Sequence, residues 1–333
     1  MHRTKSTGLA NGDAVPGVAK ADPILVIDGV RRHFGGLVAV DVDHLEIPHG
    51  AITALIGPNG AGKTTLFNLL CGFDRPNAGA WSFEGKNLAG VPSFKVARMG
   101  QVRTFQLTKS LSLLTVLENM KLGARDQHGE RFWHSLFPFL WRAKEREIEQ
   151  KARDLLVRFK LDAKEKDFAA SLSGGQRKLL EMARALMSDP QLVMLDEPMA
   201  GVNPALTQSL LGHILSLKDA GMTVLFVEHD MHVVRHIADW VVVMAEGRVV
   251  AEGPPESVMQ DPAVVDAYLG SHQDVDLGVV TGRIEGELNT SAIKLLDAIE
   301  EEREMMAEEL GEEPAPDAAA DESGDDDQKG QHS

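Results

Sequence analysis

The sequence predicts an α/β fold organised around a parallel sheet, and three observations carry that expectation. A short β-rich run, "AITALIG" (51–57), feeds straight into the glycine-rich "GPNGAGKTT" (57–65). Two later apolar runs, "QLVMLDEP" (191–198) and "MTVLFVEHD" (222–230), each end in a polar tip, as buried parallel strands with functional groups at their carboxyl ends do. Helical patterns, "QRKLLEMARALM" (176–187) and "PALTQSLLGHILSLKDA" (204–220), come before and between them, and strand alternating with helix is the mark of an α/β sheet.

Taken along the chain, residues 1–22 are polar and aperiodic, which predicts a disordered leader. "PILVIDGV" (23–30) opens the ordered region as a strand. "KTTLFNLLCGF" (63–73) has helical spacing and is expected to stop at Gly72, with Cys71 as a buried structural thiol. The segment 130–159 reads as helical with two faces, and Phe132, Trp133, Phe137, Phe139 and Trp141 crowd around Pro138. Those rings either fill a helical subdomain's own core or form an apolar surface for a partner. Near the end, "NTSAIKLLDAIEEEREMMAEEL" (289–310) predicts a capped amphipathic helix, and the residues from Gly311 onward predict an acidic disordered tail.

Charge is unevenly spread over the 333 residues. Of a net −16, residues 271–333 carry −15, with 19 acidic against four basic side chains, so the body is nearly neutral. A neutral body argues against a nucleic-acid partner, which needs a cationic surface. No apolar run approaches the ~20 residues of a membrane helix, and the start lacks a signal peptide's apolar block, so a cytoplasmic protein is expected. One cysteine permits no internal disulfide.

The glycine-rich stretch fits the phosphate-loop pattern G-x-x-x-x-G-K-[ST]. In such a loop, here Gly57, Pro58, Asn59, Gly60, Ala61, Gly62, Lys63, Thr64 and Thr65, backbone N–H groups converge on phosphate oxygens at a helix N-terminus. Lys63 is expected at the β- and γ-phosphates and Thr64 at Mg2+. After the strand of "LVMLDEP", Asp196 is placed to hold Mg2+, and Glu197 to polarise a water for attack on the γ-phosphate. His229, His232 and His236 recur at spacings of three and four, but without cysteine or further carboxylates they are not taken as a metal face.

A second anion-binding helix start follows in "LSGGQRKLLEMARALM": Ser173, Gly174, Gly175 and Gln176 open an amphipathic helix. One domain holding one nucleotide needs only one. With the phosphate loop before it and Asp196–Glu197 after it, the chain resembles the ATPase subunit of an ATP-binding cassette (ABC) transporter. The resemblance implies an ABC-type nucleotide-binding domain over 23–270, with an antiparallel β subdomain and a helical subdomain at about 108–188. A partly helical extension would span 271–310 and the acidic tail 311–333. It also implies a head-to-tail pair of cassettes, each signature motif closing on the other's ATP.

Other positions follow from the resemblance alone. Phe34 in "RRHFGG" matches the aromatic that stacks on adenine, and Gln106 in "VRTFQ" matches the loop glutamine that senses Mg2+ and the attacking water. His229 in "VEHD" matches the switch histidine at the γ-phosphate. Asn203 departs from the aspartate common at its position, keeping the hydrogen-bonding shape without the charge. "FGGLVAVDVDHLEIPHG", "LTVLENM" and "DEPMAGVNP" narrow the resemblance to ATPases of branched-chain amino acid importers. What this implies is an ATPase peripheral to the cytoplasmic face of the inner (plasma) membrane, paired with itself or a similar cassette. Two permease subunits and, indirectly, a periplasmic or surface solute-binding protein complete the assembly. Importers of urea, amides or aromatic acids, an exporter ATPase, and a soluble ABC protein acting on ribosomes or DNA are the alternatives.

Overall fold

In the computed structural model, residues 15–104, 112–125, 138–202 and 204–269 are described, with side chains throughout except at 138–143, 204–205 and 269. Two sheets organise them. The first is antiparallel, in the order β2-β1-β4-β5, and is built from β1 (Pro23–Phe34), β2 (Leu37–Pro48), β4 (Ala78–Phe83) and β5 (Lys86–Asn87). The second has the order β10-β9-β3-β8-β7-β6. Its members are β3 (Ile52–Ile56), β6 (Gln101–Arg103), β7 (Leu192–Asp196), β8 (Thr223–Val227), β9 (Trp240–Ala245) and β10 (Arg248–Gly253). All neighbours in it are parallel except β10, which runs antiparallel at the edge.

The central strands are mostly apolar because each face of their sheet is covered, and a pleat sends successive side chains to opposite faces. Val193 and Leu195 of β7, with Val224 and Phe226 of β8, enter a core shared with helices α5 (Gly174–Leu186) and α6 (Pro204–Asp219), through Leu180, Ala183, Leu210 and Ile214. The alternate residues Met194, Leu225 and Val227 enter the other core. There they meet α1 (Lys63–Leu70), through Leu66, Phe67 and Leu70, and the antiparallel sheet, through Ile27, Val42 and Trp81.

The remaining helices are α2 (Ser93–Met99), α3 (Val116–Lys121), α4 (Pro138–Arg158), α7 (Met231–Ile237), α8 (Pro255–Val258) and α9 (Pro262–Leu269). Helices α3, α4 and α5 pack together, burying Val116, Met120, Ala152, Leu156 and Leu180. Thr115 starts α3 with a reciprocal capping box to Glu118, and Ser173 starts α5 the same way with Gln176. Cys71 is buried, as expected, and burial pushes its thiol up to about 12; α1 itself ends at Leu70, before Gly72.

The sequence predicts a disordered leader through residue 22, whereas residues 17–20 are bonded to the body. Buried Glu252 on β10 accepts from the backbone N–H groups of Gly17 (2.6 Å) and Val18 (2.9 Å). It also accepts from Lys20 Nζ (3.0 Å) and from Trp240 Nε1 (2.9 Å), while the Lys20 ammonium lies 4.1 Å from the centroid of the Trp240 ring. One carboxylate therefore satisfies four donors. Glu252→Ala removes the acceptor from all four, leaving Lys20 only its bond to the Val18 carbonyl, and is expected to lower unfolding stability by about 3 kcal/mol. Denaturant unfolding measures this, and limited proteolysis should then cut the segment before β1.

Candidate nucleotide site

The loop between β3 and α1 is held in a shape that forbids side chains at two points. Gly57 and Gly62 have φ of 145° and 97°. A Cβ on Gly57 would lie 2.0 Å from the Met244 carbonyl oxygen, and one on Gly62 2.2 Å from that of Ala39. The loop is thus wedged between β9 and β2. Gly62 caps α1 without a side-chain acceptor, so first-turn N–H groups of α1 point into the loop's concavity. Asn59, Gly60 and Thr64 are exposed; Pro58 and Thr65 are half-buried, and Ala61 is buried. Lys63 is buried and folds back, its Nζ donating to the carbonyls of Gly57 (2.6 Å) and Pro58 (2.9 Å). Burial lowers its pKa, and the charges of Glu197 and Asp196 work against that fall.

Opposite the loop stand the two acids at the end of β7. Asp196 forms an ion pair with Arg103 from the end of β6, and Arg103 also donates to Asn68 of α1 (2.6 Å). Glu197 takes a left-handed backbone, φ 47°, and its N–H bonds the carbonyl of Val227 (3.0 Å). Its Oε1 lies 2.8 Å from His229 Nε2, so the turn after β7 and the end of β8 present their side chains to each other. Between them in the chain, Glu228 is buried and accepts from Met199 N–H (2.8 Å) and His229 N–H (3.2 Å). Burial raises its pKa despite those bonds.

Thr64, Arg103, Lys178, Glu181, Asp196 and Glu197 line one cavity of about 370 Å³. Lys178 and Glu181 reach it from α5. Nothing in the sequence reading singled out Arg103, Lys178, Glu181 or Glu228. Burial pushes Glu181 from its ordinary 4.5 to about 7, opposed by the charges of Arg184 and Lys178.

Residues 40–200 match the ABC transporter family, and residues 248–274 match the branched-chain amino acid ATP-binding cassette transporter family. The probable branched-chain amino acid transport ATP-binding protein LivG of Archaeoglobus fulgidus is 43% identical over 257 residues, 77% of this chain and 99% of that protein. The chain belongs to the ABC transporter ATPases of the branched-chain amino acid group. The high-affinity branched-chain amino acid transport ATP-binding protein BraF of Pseudomonas aeruginosa is 40% identical, covering 74% of this chain and 98% of that protein. The solved nucleotide-free cassette of an ABC transporter superposes with a TM-score of 0.65 at 38% identity, over 74% of this chain and 98% of that one. A cassette in its ADP conformation gives 0.65 at 37%, over 74% and 99%. The expected fold and family hold, and the chain is an ATPase. Among the described residues, no helix is long and apolar enough to cross a membrane.

The ABC resemblance named further positions, and the fold distributes them unequally. Phe34 stands at the end of β1, half exposed, with the Arg32 guanidinium 4.3 Å from its ring centroid. Its hairpin adjoins the phosphate loop through the contact between Ala39 and Gly62. Ser173, Gly174, Gly175 and Gln176 lie outside the cavity, at the N-terminus of α5, where Ser173 and Gly174 are exposed. Gln106 and Asn203 lie outside the described residues, as do Phe132, Trp133 and Phe137, the side chains of Phe139 and Trp141, and the extension and tail from 271. His232 and His236 are exposed on α7.

Glu181 supplies a signed test. Its folded pKa is above the unfolded one, so its contribution to stability is full below about 4.5 and is lost as pH rises through about 7. Glu181→Gln removes that loss. The variant's stability relative to the unaltered chain should grow by about 1–2 kcal/mol between pH 4.5 and 8, allowing for solvent in the cavity. Denaturant midpoints at the two pH values measure it.

Proposed function

We propose that this chain is the ATP-hydrolysing subunit of an importer for branched-chain or related hydrophobic amino acids. The observation that carries the chemistry is the pairing of Glu197 with His229 at 2.8 Å, beside a cavity that also holds Thr64 and Asp196. The names of its relatives supply the substrate class.

ATP would lie with its phosphates along the loop 57–65 and its adenine on Phe34. Lys63 would trade its two carbonyl bonds for charge-assisted bonds to phosphate oxygens. Thr64 and Asp196 both offer oxygen, the donor Mg2+ prefers, and they share one cavity, so these residues fit the ion and would hold it. Bound Mg2+ would neutralise charge on the phosphate oxygens. Glu197 would take a proton from the attacking water as its oxygen bonds the γ-phosphorus and the bond to ADP breaks; His229 would orient the Glu197 carboxylate and contact the γ-phosphate. Gln106 would complete the site.

Ser173 and Gly174 are exposed away from this cavity, which supports a head-to-tail pair in which the α5 N-terminus meets the partner cassette's nucleotide. Opening and closing of that pair would drive two permease subunits fed by a solute-binding protein, with this chain peripheral on the cytoplasmic face of the membrane. Affinity capture of the tagged chain from gently solubilised membranes should recover two multi-span permeases. ATPase activity of that complex should rise with a solute-binding protein loaded with leucine-like amino acids. Stimulation by urea-, amide- or aromatic acid-loaded proteins instead reassigns the substrate, and recovery of ribosomes removes the transport reading.

Glu197→Gln should cut the turnover number by about 10²–10⁴-fold, the usual contribution of a general base. ATP binding should persist, so equilibrium binding and steady-state hydrolysis measured together separate the two effects.

A further inference from the structure

Helix α5 joins two places that the proposed mechanism treats separately. Ser173 caps its N-terminus, and just over one turn further on Lys178 reaches back to the segment after β7. Lys178 Nζ donates to the carbonyls of Glu197 (3.1 Å), Pro198 (2.8 Å) and Ala200 (2.6 Å). An ammonium has three hydrogens, and three carbonyls receive them. The three peptide planes so fixed belong to the turn that places Glu197 in its left-handed conformation, which a non-glycine residue adopts at a cost of about 1–2 kcal/mol. Other bonds also secure this turn: Ala200 N–H to the Glu197 carbonyl within it, Glu197 N–H to Val227 and Met199 N–H to Glu228 from β8 and the residue after it. Among the described residues, only Lys178 ties it to α5 through side-chain hydrogen bonds.

We propose that Lys178 is a positioning residue for Glu197, and that it makes the N-terminus of α5 and this catalytic carboxylate parts of one rigid unit. The inference rests on the reading of Glu197 as the base and of Ser173 as facing the partner's nucleotide. Its consequence is directional. A phosphate drawn to Ser173 tilts α5, and Lys178 carries that tilt to the peptide planes from which the Glu197 side chain projects. The two nucleotide sites of a pair then communicate through the interior of each subunit as well as across the interface. Burial lowers the ammonium's pKa, while Glu228, Glu181 and Glu197 sustain its charge.

The test uses the full-length chain, alone and in the captured complex, with Lys178→Met and Lys178→Arg. Methionine keeps the apolar stem and removes the donors; arginine keeps charge and donors in a different geometry. Lys178→Met should lower the turnover number by about 10- to 100-fold, the scale of a misplaced reacting group, with KM for MgATP changed less than threefold. Lys178→Arg should recover most of that loss. On a Glu197→Gln background, Lys178→Met should cost nothing further in single-turnover hydrolysis, since it acts through the group already removed. A Lys178→Met turnover equal to that of the unaltered chain, a rise in KM alone, or an undiminished effect on the Glu197→Gln background would each overturn the proposal. If the unaltered chain hydrolyses no ATP, alone or in the complex, the functional reading falls and this inference with it.

Discussion

The parallel register of β3, β7, β8 and β9 is the constraint on which the site depends. Asp196 stands opposite Val227, so the residue after the strand, Glu197, donates its N–H to the Val227 carbonyl and continues the ladder by one bond into the turn. His229, two residues beyond Val227, then meets the Glu197 side chain. On the other side, Ile56 pairs with Val243, which brings Gly57 against Met244 and leaves no room for a Cβ. A slip of one residue in either pairing would turn every core side chain to the opposite face and separate the loop from the acids. The apolar runs therefore specify the chemistry indirectly, by fixing where the strands end.

Electrostatics complete what the register begins. Three cations, Lys63, Arg103 and Lys178, surround Asp196, Glu197 and Glu181, and each cation is held by a specific partner. Lys63 and Lys178 bond to backbone carbonyls, and Arg103 bonds to Asp196 and Asn68. Carbonyl bonds hold a buried ammonium in place without neutralising it. In the proposed complex the charge of Lys63 would be available to a triphosphate, while that of Arg103 is already paired with Asp196. The loop backbone is fixed before any anion arrives, whereas Lys63 must exchange its carbonyl bonds for those to phosphate in the proposed complex.

The parts of the fold legible in the sequence are those where local pattern and tertiary role coincide. The phosphate loop lies between a strand and a helix, β7 and β8 are unbroken apolar runs, and Ser173 opens an amphipathic helix. Strand β2 was visible only through family resemblance, because "VAVDVDHLEIP" alternates between core and solvent and carries four charged or titratable side chains. Arg103 and Asp196 are 93 positions apart, and Lys20 and Glu252 are 232 apart. No spacing rule reaches across such separations. Lys178 sits among polar residues on an amphipathic helix, where a solvated face is the ordinary reading. Only the loop returning from β7 gives it partners. The docking of residues 17–20 was hidden for the same reason, since the acceptor that organises it lies on the last strand.

The start of α5 shows how one short stretch meets two opposed demands. Gly174 has nothing within 4 Å of where a Cβ would be, whereas a Cβ on Gly175 would overlap Leu206 of α6. The second glycine lets two helices approach; the first keeps an exposed helix terminus uncluttered. Ser173 Oγ accepts from Gln176 N–H (3.2 Å), and the Gln176 side chain accepts from Ser173 N–H (3.0 Å). These bonds use the hydroxyl oxygen as an acceptor and leave its hydrogen to donate elsewhere. In the proposed pair, that hydrogen and the N–H of Gly174 are the donors offered to a phosphate oxygen. Adding bulk at Gly174 would obstruct the ligand without disturbing the fold, and adding it at Gly175 would disturb the fold before any ligand arrived. Two identical residues in sequence thus stand in different surroundings, one at an open helix end and one packed against Leu206.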